Sequence, residues 1–469
     1  MAATAALDEL RAAIGAERVS TDPAELIVYA YDGAWLEGRP AVVLHPETTR
    51  HVADILRIAD RECIPVVPRG AATGLAGGAV ALEGGWCLNL ARMNKILDVS
   101  AADSAAVVQP GVVTAALQKE VERVGLFYPH DQASLHMCTI GGNVSTNAGG
   151  PRCLKYGVTA DYVLALEVAL PGGRVMRTGR RTIKDVAGYN LKQLFAGSEG
   201  TLGVITEITL RLIPKPAAQA TALAVFPRVA EACDAVGRML ASGIVPLVTE
   251  LMDNTVVRAV DAFFRSRSSS AGLPLDADAV LLVAVDGDGD QVERDIDAIA
   301  GLLRESGARE VRRARDAVEA EALWEARRAI NPALIRLAHD RLGEDVVVPR
   351  GHIPRMVERI RQTAAAHDLT IALFGHIGDG NLHPTILCDR RDGEMMKRVQ
   401  SASTAIFDAA IDLGGSITGE HGVGIVKLDY LGRAVDPLAL EAMQAIKRIF
   451  DPNGIMNPCK KLPSGVGER

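Results

Sequence analysis

The chain has 469 residues, 48% hydrophobic and 23% charged. At roughly 150 residues per domain this predicts two or three domains with sizeable cores and excludes a disordered chain. With 51 basic against 58 acidic side chains, a net charge of −7 and only 4% aromatic residues, the chain has neither the basic footprint nor the stacking platforms of a nucleic-acid binder.

No run reaches about 18 uninterrupted apolar residues, and the Met1–Arg11 stretch lacks a signal-peptide core. The seven cysteines are scattered without a C-x-x-C pair, which argues against a disulfide framework or a cysteine zinc site. The expectation is a soluble, intracellular protein.

In chain order, Thr49–Cys63 and Thr114–Val124 show helical periodicity, each opening on a threonine suited to cap the first turn. Short runs rich in Val, Ile and Leu at 65–68, 87–90, 106–109 and 164–168, bounded by Gly and Pro, read as strands. Residues 1–215 are therefore expected to form an α+β domain with many loops. Pro214-Lys215-Pro216 reads as a stiff extended connector. Beyond it come strand 220–226, helix 229–241 and strand 245–252, then strand 279–286, helix 291–306 and strand 310–314. Two such β-α-β units predict a ferredoxin-like sheet with helices on one face. Residues 265–272 read as a surface loop, 323–338 and 353–366 as helices, 346–349 as a strand-like run, and 438–450 as a helix stopped by Pro452 and Gly454.

The segment from Pro68 to Gly78 (PRGAATGLAGG) follows the strand Val66-Val67 and is rich in small residues, so its backbone N–H groups can close on an anion. No Gly-Lys-Ser/Thr follows, which excludes a P-loop, and the glycine spacing fails the Rossmann fingerprint. Thr139–Gly150 and Gly197–Gly203 are similar segments. Turns would explain any one of them, whereas all three together point to a long ligand such as a dinucleotide.

With Asn457-Pro458, these segments resemble the FAD-binding parts of the vanillyl-alcohol-oxidase-type flavoproteins. More narrowly, residues 40 to 463 resemble the branch holding D-lactate dehydrogenases, glycolate oxidase flavin subunits and D-2-hydroxyglutarate dehydrogenases. The resemblance implies an α+β fold: a two-part FAD-binding domain of that type (1–215), a ferredoxin-like substrate domain with a metal site (216–425), and a C-terminal segment returning to the first domain (426–469). It implies FAD, non-covalently held because no His sits where covalently linked members use one. Carried onto this sequence, the FAD contacts in the first loop are Arg69, Gly70, Ala71, Ala72, Thr73, Gly74, Gly77 and Gly78. Pro129, Asp131 and Ser134 follow, then Gly141, Gly142, Asn143, Thr146, Asn147 and Gly149 in the second loop, Glu199, Gly203 and Ile205 in the third, and Asn457 near the end.

The string Phe374-Gly375-His376-Ile377-Gly378-Asp379-Gly380-Asn381-Leu382-His383 carries the metal chemistry. On one continuous strand the two histidines would face opposite ways, but the turn-forming 378–381 stretch can fold both to one point. With Glu420 they make a sensible divalent-metal set; alternatively they are polar residues around a tight hairpin. The resemblance implies that His376, His383 and Glu420 bind zinc or manganese and that His421 is the general base beside the substrate hydroxyl. It also implies that Arg327, rather than Arg328, anchors the substrate carboxylate, with Asn331, Thr385 and His421 as further substrate contacts. Relatives acting on 2-hydroxyglutarate carry a Lys near 343–345; none is present here, which favours D-lactate or glycolate.

The expected activity is oxidation of a small D-2-hydroxy acid to the 2-oxo acid, with hydride passing to flavin N5. The alternatives are a D-2-hydroxyglutarate dehydrogenase, the flavin subunit of a multi-subunit glycolate oxidase, and a metallohydrolase, which leaves the glycine loops unexplained. A nicotinamide dehydrogenase is disfavoured by the failed Rossmann spacing. The electron acceptor is a quinone, cytochrome or electron-transfer flavoprotein. A homodimer in the cytoplasm, or peripheral at the inner face of the membrane, completes the expectation, although no basic amphipathic helix marks membrane contact.

Overall fold

The computed structural model describes residues 2–82, 84–267 and 273–463. Two compact units emerge, one from the residues up to Gly149, Val158–Lys215 and Glu420 onward, the other from Gly150–Gly157 and Pro216–Gly419. The second unit thus closes at Gly419, ahead of the 425 boundary.

In the first unit, β1 (Val19–Ser20), β2 (Val42–Leu44), β3 (Val66–Arg69) and β4 (Trp86–Asn89) form a sheet in the order β1-β2-β4-β3, parallel except for β1. The Thr49–Arg61 helix buries Val52, Ile55, Leu56, Ile58 and Ala59, the helical repeat that the sequence displays, against Val42, Leu44, Val66 and Leu88. Each large apolar side chain so buried stabilises by about 1.5–3 kcal/mol.

Neither threonine caps its helix. Thr48 caps the first one by accepting from His51 N, while Thr49 donates to Glu167 at 2.7 Å. Val113 occupies the corresponding position of the Thr114–Glu122 helix, and the Thr114 hydroxyl accepts from Asn143 Nδ2 at 2.7 Å. Both hydroxyls are drawn to partners distant in sequence.

The remaining strands of this unit are β5 (Ile96–Ser100), β6 (Ala105–Val108), β7 (Leu126–Phe127), β8 (Val163–Ala169), β9 (Val175–Gly179), β10 (Val204–Arg211) and β11 (Ile213–Pro214). Five form an antiparallel sheet, β5-β6-β10-β8-β9, and β7 pairs with β11. The second glycine segment contains a helix, Ile140–Thr146, that periodicity did not reveal. Gly141, Gly142 and its β-branched residues are weak helix formers. The Thr139 cap and close packing hold it: a Cβ on Gly141 would lie 2.4 Å from Pro110 Cβ.

The second unit is built on β12 (Ala218–Phe226), β13 (Val248–Asp253), β14 (Ala279–Gly287), β15 (Glu310–Arg313), β16 (Asp340–Gly343), β17 (Val346–Val347), β18 (Thr370–His376) and β19 (Asn381–Cys388). The order β15-β12-β14-β13 is that of a split β-α-β sheet, with the helices Val229–Ala241 and Gly289–Glu305 as its connections. The sheet continues through β18, β19 and β16.

Helices cover both faces rather than one. Asn254–Arg265, Ala317–Arg328 and Ile330–Leu334 pack with Leu223, Val225, Leu282 and Phe374 in a core from which the two connecting helices are absent. The helix expected over 323–338 begins at Ala317, capped by Asp316, and breaks at Ala329. Pro332 has no N–H to continue the ladder there. Of the loop expected at 265–272, Arg265 ends a helix and 268–272 lie outside the described residues. No helix among the described residues is long and apolar enough to cross a membrane.

Candidate functional site

In the first unit β3 delivers the chain into the first glycine loop at Arg69. This buried arginine donates to Ala79 O at 3.3 Å and lies 5.3 Å from the centre of the Tyr29 ring. None of the backbone N–H groups from Ala71 to Gly78 donates to an acceptor among the described residues, although Ala76 and Gly77 are buried. Ala72 and Gly77 have positive φ, of 54° and 78°. Buried N–H groups are costly without an acceptor, so this run suits an external anion. A Cβ on Gly74 would meet nothing within 4 Å and one on Gly78 only Glu199 Oε2 at 4.0 Å, leaving room above the loop. On Gly70 it would meet Thr139 Oγ1 at 2.5 Å, so Gly70 is needed for close packing of the loop itself. These residues fit the pyrophosphate of a dinucleotide such as FAD.

The other expected cofactor residues divide by what their side chains do. Asn143 donates to Thr114, Thr146 to Gly142 O at 3.1 Å, and Asn147, at φ 51°, accepts from Ala160 N at 2.9 Å. Glu199 accepts from Val423 N and Gly424 N at 2.9 and 2.7 Å and from Lys461 Nζ at 3.2 Å. Asn457 donates to Gly78 O at 2.9 Å and Glu199 O at 2.6 Å, tying the C-terminal segment to the first and third loops. These side chains build the cradle. A Cβ on Gly203 would lie 2.9 Å from Val168, the residue paired with Ile205, and one on Gly142 lies 3.3 Å from Thr139 Oγ1. Ser134 O caps a turn by accepting from Met137 N and Cys138 N. Pro129 and Gly149 are buried and Asp131 is half-buried.

The second unit holds the histidines. Strands β18 and β19 form a hairpin whose register pairs Phe374 with His383 and His376 with Asn381, so the histidines share one face with ring centres 5.1 Å apart. Gly380, at φ 91°, makes the turn; a Cβ there would lie 2.0 Å from Val348 O. Glu420 follows Gly419 directly, so the peptide link sets its place. Donor atoms of His376, His383 and Glu420 all lie within 4.8 Å of one another. Two imidazoles and a carboxylate suit a divalent cation. His421 Nε2 lies 3.7 Å from Glu420 Oε1.

Glu250 on β13 stands behind this group, and no sequence pattern marked it. Fully buried and paired in register with His376, it accepts from His376 Nδ1 on one oxygen. Its other oxygen accepts from Arg327 Nε at 2.6 Å and pairs with Nη2 at 2.5 Å. Burial opposes its charge, but Arg327 and His376 overcome it and hold the carboxyl down to about 2. Arg327 also lies 5.1 Å from the Phe374 ring centre, whereas Arg328 is exposed and pairs with Glu321. Asn331 is exposed in the next short helix.

Asp345, also buried, accepts from Asn381 Nδ2 at 2.7 Å, Thr418 Oγ1 at 2.7 Å and Gly419 N at 2.9 Å. Thr385 lies on the histidine face of β19, opposite Gly343 of β16. Arg341, two residues before Gly343, shares that face and went unnoticed in the sequence; an arginine two places from a glycine on a strand was the available signal.

Two family models match the chain: FAD linked oxidases, C-terminal domain, over residues 215–461, and FAD binding domain, over residues 40–179. The glycolate oxidase subunit GlcD of Bacillus subtilis (strain 168) is 43% identical over 456 residues, covering 97% of this chain and 96% of its own. The D-lactate dehydrogenase of Anaerostipes hadrus is 36% identical over 433 residues, or 91% of each chain. Among solved structures, p-cresol methylhydroxylase with substrate bound superposes with a TM-score of 0.83 at 18% identity, over 98% of this chain and 96% of that one. The 4-ethylphenol oxidase of Gulosibacter chungangensis gives 0.78 at 20% identity, over 98% and 97%. At these identities the structural likeness is one of fold.

Proposed function

The chain belongs to the FAD-linked D-2-hydroxy acid dehydrogenase family, and from that premise we propose that it oxidises a small D-2-hydroxy acid to its 2-oxo acid with the help of a divalent metal. It is an FAD-linked oxidoreductase of α+β fold, with the vanillyl-alcohol-oxidase type of FAD-binding architecture. Glycolate and D-lactate are the favoured acids, in line with the names its relatives carry.

The first-loop backbone and its neighbours hold the FAD non-covalently, in this reading. When bound, FAD would supply the oxidising power as a hydride acceptor. His376, His383 and Glu420 hold the zinc or manganese, which supplies Lewis acidity to the substrate oxygens. Arg327 binds the substrate carboxylate through its planar fork, held side-on by Glu250 and Phe374. Asn331 and Thr385 flank the acid. His421 takes the hydroxyl proton at its imidazole.

The observation that carries this reading is Glu250, a single buried carboxylate that joins a candidate metal ligand to the candidate substrate arginine. The test is an anaerobic visible spectrum of the purified chain, titrated with glycolate and D-lactate before and after chelation. Flavin bands that bleach with an acid, and no longer bleach once the metal is removed, are expected. Bleaching indifferent to chelation overturns the metal role, and a flavin that neither acid bleaches overturns the substrate.

Two relatives named as glycolate oxidase subunits favour a second reading in which partner subunits carry electrons onward. Turnover of the isolated chain with an artificial dye separates the two. The acceptor in either case is a quinone, cytochrome or electron-transfer flavoprotein.

A further inference from the structure

Lys460 Nζ and Asn457 Oδ1 are buried in the first unit and have no hydrogen-bond partner among the described residues. Which atom of the Asn457 amide is left over follows from its neighbours. The amide nitrogen donates to Gly78 O and Glu199 O, which can only accept, so the unpaired atom is the oxygen. The carboxylates that act on the Lys460 charge, Asp32 and Glu199, are engaged elsewhere. Asp32 accepts from Ala34 N and Ala79 N at 2.9 and 3.3 Å, and Glu199 from Val423 N, Gly424 N and Lys461 Nζ. Burial pushes the Lys460 amine down to about 8, which leaves it charged at pH 7.

A buried ammonium and a buried carbonyl oxygen are each costly without a partner, and these two belong to one short stretch of chain. The stretch is also strained. Asn457, Cys459 and Lys461 have positive φ, of 43°, 60° and 66°. Such conformations cost about 1–3 kcal/mol each and persist where surroundings or a ligand over-determine them. Asn457 bonds to Gly78, and Asp32 to Ala79, so the first glycine loop adjoins both groups. The free N–H groups of that loop suit a pyrophosphate. An ionised phosphate only accepts, however, and would satisfy Lys460 while leaving Asn457 Oδ1 unpaired. A ligand group that accepts and donates side by side satisfies both. The pyrimidine edge of the FAD isoalloxazine is such a group, because N1 and the C2 carbonyl accept and N3–H donates. Adenine offers both functions too, but it stays neutral, whereas the flavin ring gains negative charge at N1 and the C2 carbonyl on reduction.

We propose that Lys460 and Asn457 hold the pyrimidine edge of the flavin, with Asn457 Oδ1 accepting from N3–H and the Lys460 ammonium set beside N1 and the C2 carbonyl. The inference rests on FAD binding in this unit and is independent of the acid and of the metal. Lys460 then favours the reduced cofactor over the oxidised one and raises its reduction potential, because an ammonium gains more from a charged acceptor than from a neutral one. The ring in turn supplies the partner that the amine lacks within the chain.

The test compares wild type, Lys460→Met and Lys460→Arg as full chains, by measurements that need no turnover. The reduction potential of bound FAD is read against redox dyes, sulfite is titrated into the FAD-loaded chain, and ADP affinity is measured on the FAD-free chain. Sulfite bonds to N5 through its lone pair and leaves the negative charge on N1 and the C2 carbonyl, so its affinity reports stabilisation of charge there. Lys460→Met is expected to weaken binding of reduced relative to oxidised FAD by about 10- to 100-fold, which lowers the potential by about 30–60 mV. Sulfite affinity should fall alongside it, ADP affinity should not change, and Lys460→Arg should restore most of the potential. Loss of FAD binding in Lys460→Met with ADP binding intact also supports the contact with the ring. An ADP affinity that falls as far as FAD affinity assigns the ammonium to the pyrophosphate and overturns the inference. An unchanged potential and sulfite affinity in Lys460→Met overturn it as well. A wild-type chain that takes up no FAD overturns this inference and the FAD reading together. One whose flavin meets these expectations while neither glycolate nor D-lactate bleaches it supports the inference and overturns the substrate alone.

Discussion

Glu250 and His376 stand opposite each other on β13 and β18, and the buried carboxylate takes the hydrogen bond of His376 Nδ1. A carboxylate held ionised can only accept, so the imidazole carries its proton on Nδ1 and keeps the Nε2 lone pair for a metal. Glu250→Gln keeps the volume but places an amide beside both partners. Arg327 can only donate, so the amide oxygen goes to it and the NH2 goes to His376, which must then carry its proton on Nε2. Metal affinity should fall by about 10- to 100-fold. Competition with a chromogenic chelator measures it, and wild-type affinity in Glu250→Gln would remove this role for Glu250.

Asp345 acts on the third candidate ligand. Its three accepted bonds, from Asn381, Thr418 and Gly419, fix the turn that leads straight into Glu420. Asp345→Ala removes the acceptor shared by all three and leaves the buried Asn381 amide with only Val346 O at 3.0 Å, at about 1–3 kcal/mol for a buried N–H left unsatisfied. The variant should unfold several degrees earlier and bind metal more weakly. Asp345→Asn, which can still accept on one oxygen, should fall between it and wild type in both measurements. An Asp345→Ala protein with an unshifted melting temperature and full metal affinity contradicts the account.

Much of this was legible in the sequence, and the exceptions share a cause. The β-α-β repeat appears because strands 218–226 and 279–287 bury long apolar runs with periodic helices between. The histidine hairpin was legible because Gly378 to Asn381 are turn residues and parity fixes which face each imidazole takes. The Ile140–Thr146 helix was hidden by weak local propensity and is held by contacts such as that of Gly141 with Pro110. Glu250 looks like one acidic residue in an apolar strand, and only pairing of β13 with β18 shows what it touches. Thr49 and Thr114 satisfied a local capping rule, but Glu167 and Asn143 claimed their hydroxyls from far along the chain. Local pattern thus predicted elements, whereas partners distant in sequence set the tasks of individual polar groups.

The first glycine loop makes a prediction that separates binding from folding. Gly74 has open space where a side chain would project, so Gly74→Val should leave the cofactor-free chain as stable as wild type. The added isopropyl group occupies room above backbone donors that await an anion. FAD affinity should therefore drop at least tenfold, and the thermal stabilisation on adding FAD should shrink with it. At 100-fold excess over Kd that stabilisation is about 2.7 kcal/mol in the wild type. A variant that melts early without FAD, or one that binds FAD normally, counts against this reading of the loop.

Lys460 offers a prediction in pH. Its Nζ is buried without a hydrogen-bond partner among the described residues, in the unit that carries the glycine loops. Burial pushes its pKa down to about 8, with Asp32 and Glu199 among the charges that partly oppose the fall. In the unfolded chain an ordinary lysine holds its proton up to about pH 10.4. Between about pH 8 and that value the unfolded state binds more protons than the folded one, so this group raises stability as pH increases through the window. Below about pH 8 both states are protonated and the whole cost of burying an ammonium is present. Lys460→Met keeps the aliphatic bulk and removes the charge, so the cofactor-free variant should be more stable than wild type at pH 7, by on the order of 1–3 kcal/mol. That advantage should shrink steadily from pH 8 to pH 10.4 in urea unfolding of the two proteins side by side. A constant difference across the window, or no gain at pH 7, means that the amine is solvated in solution and carries no such cost.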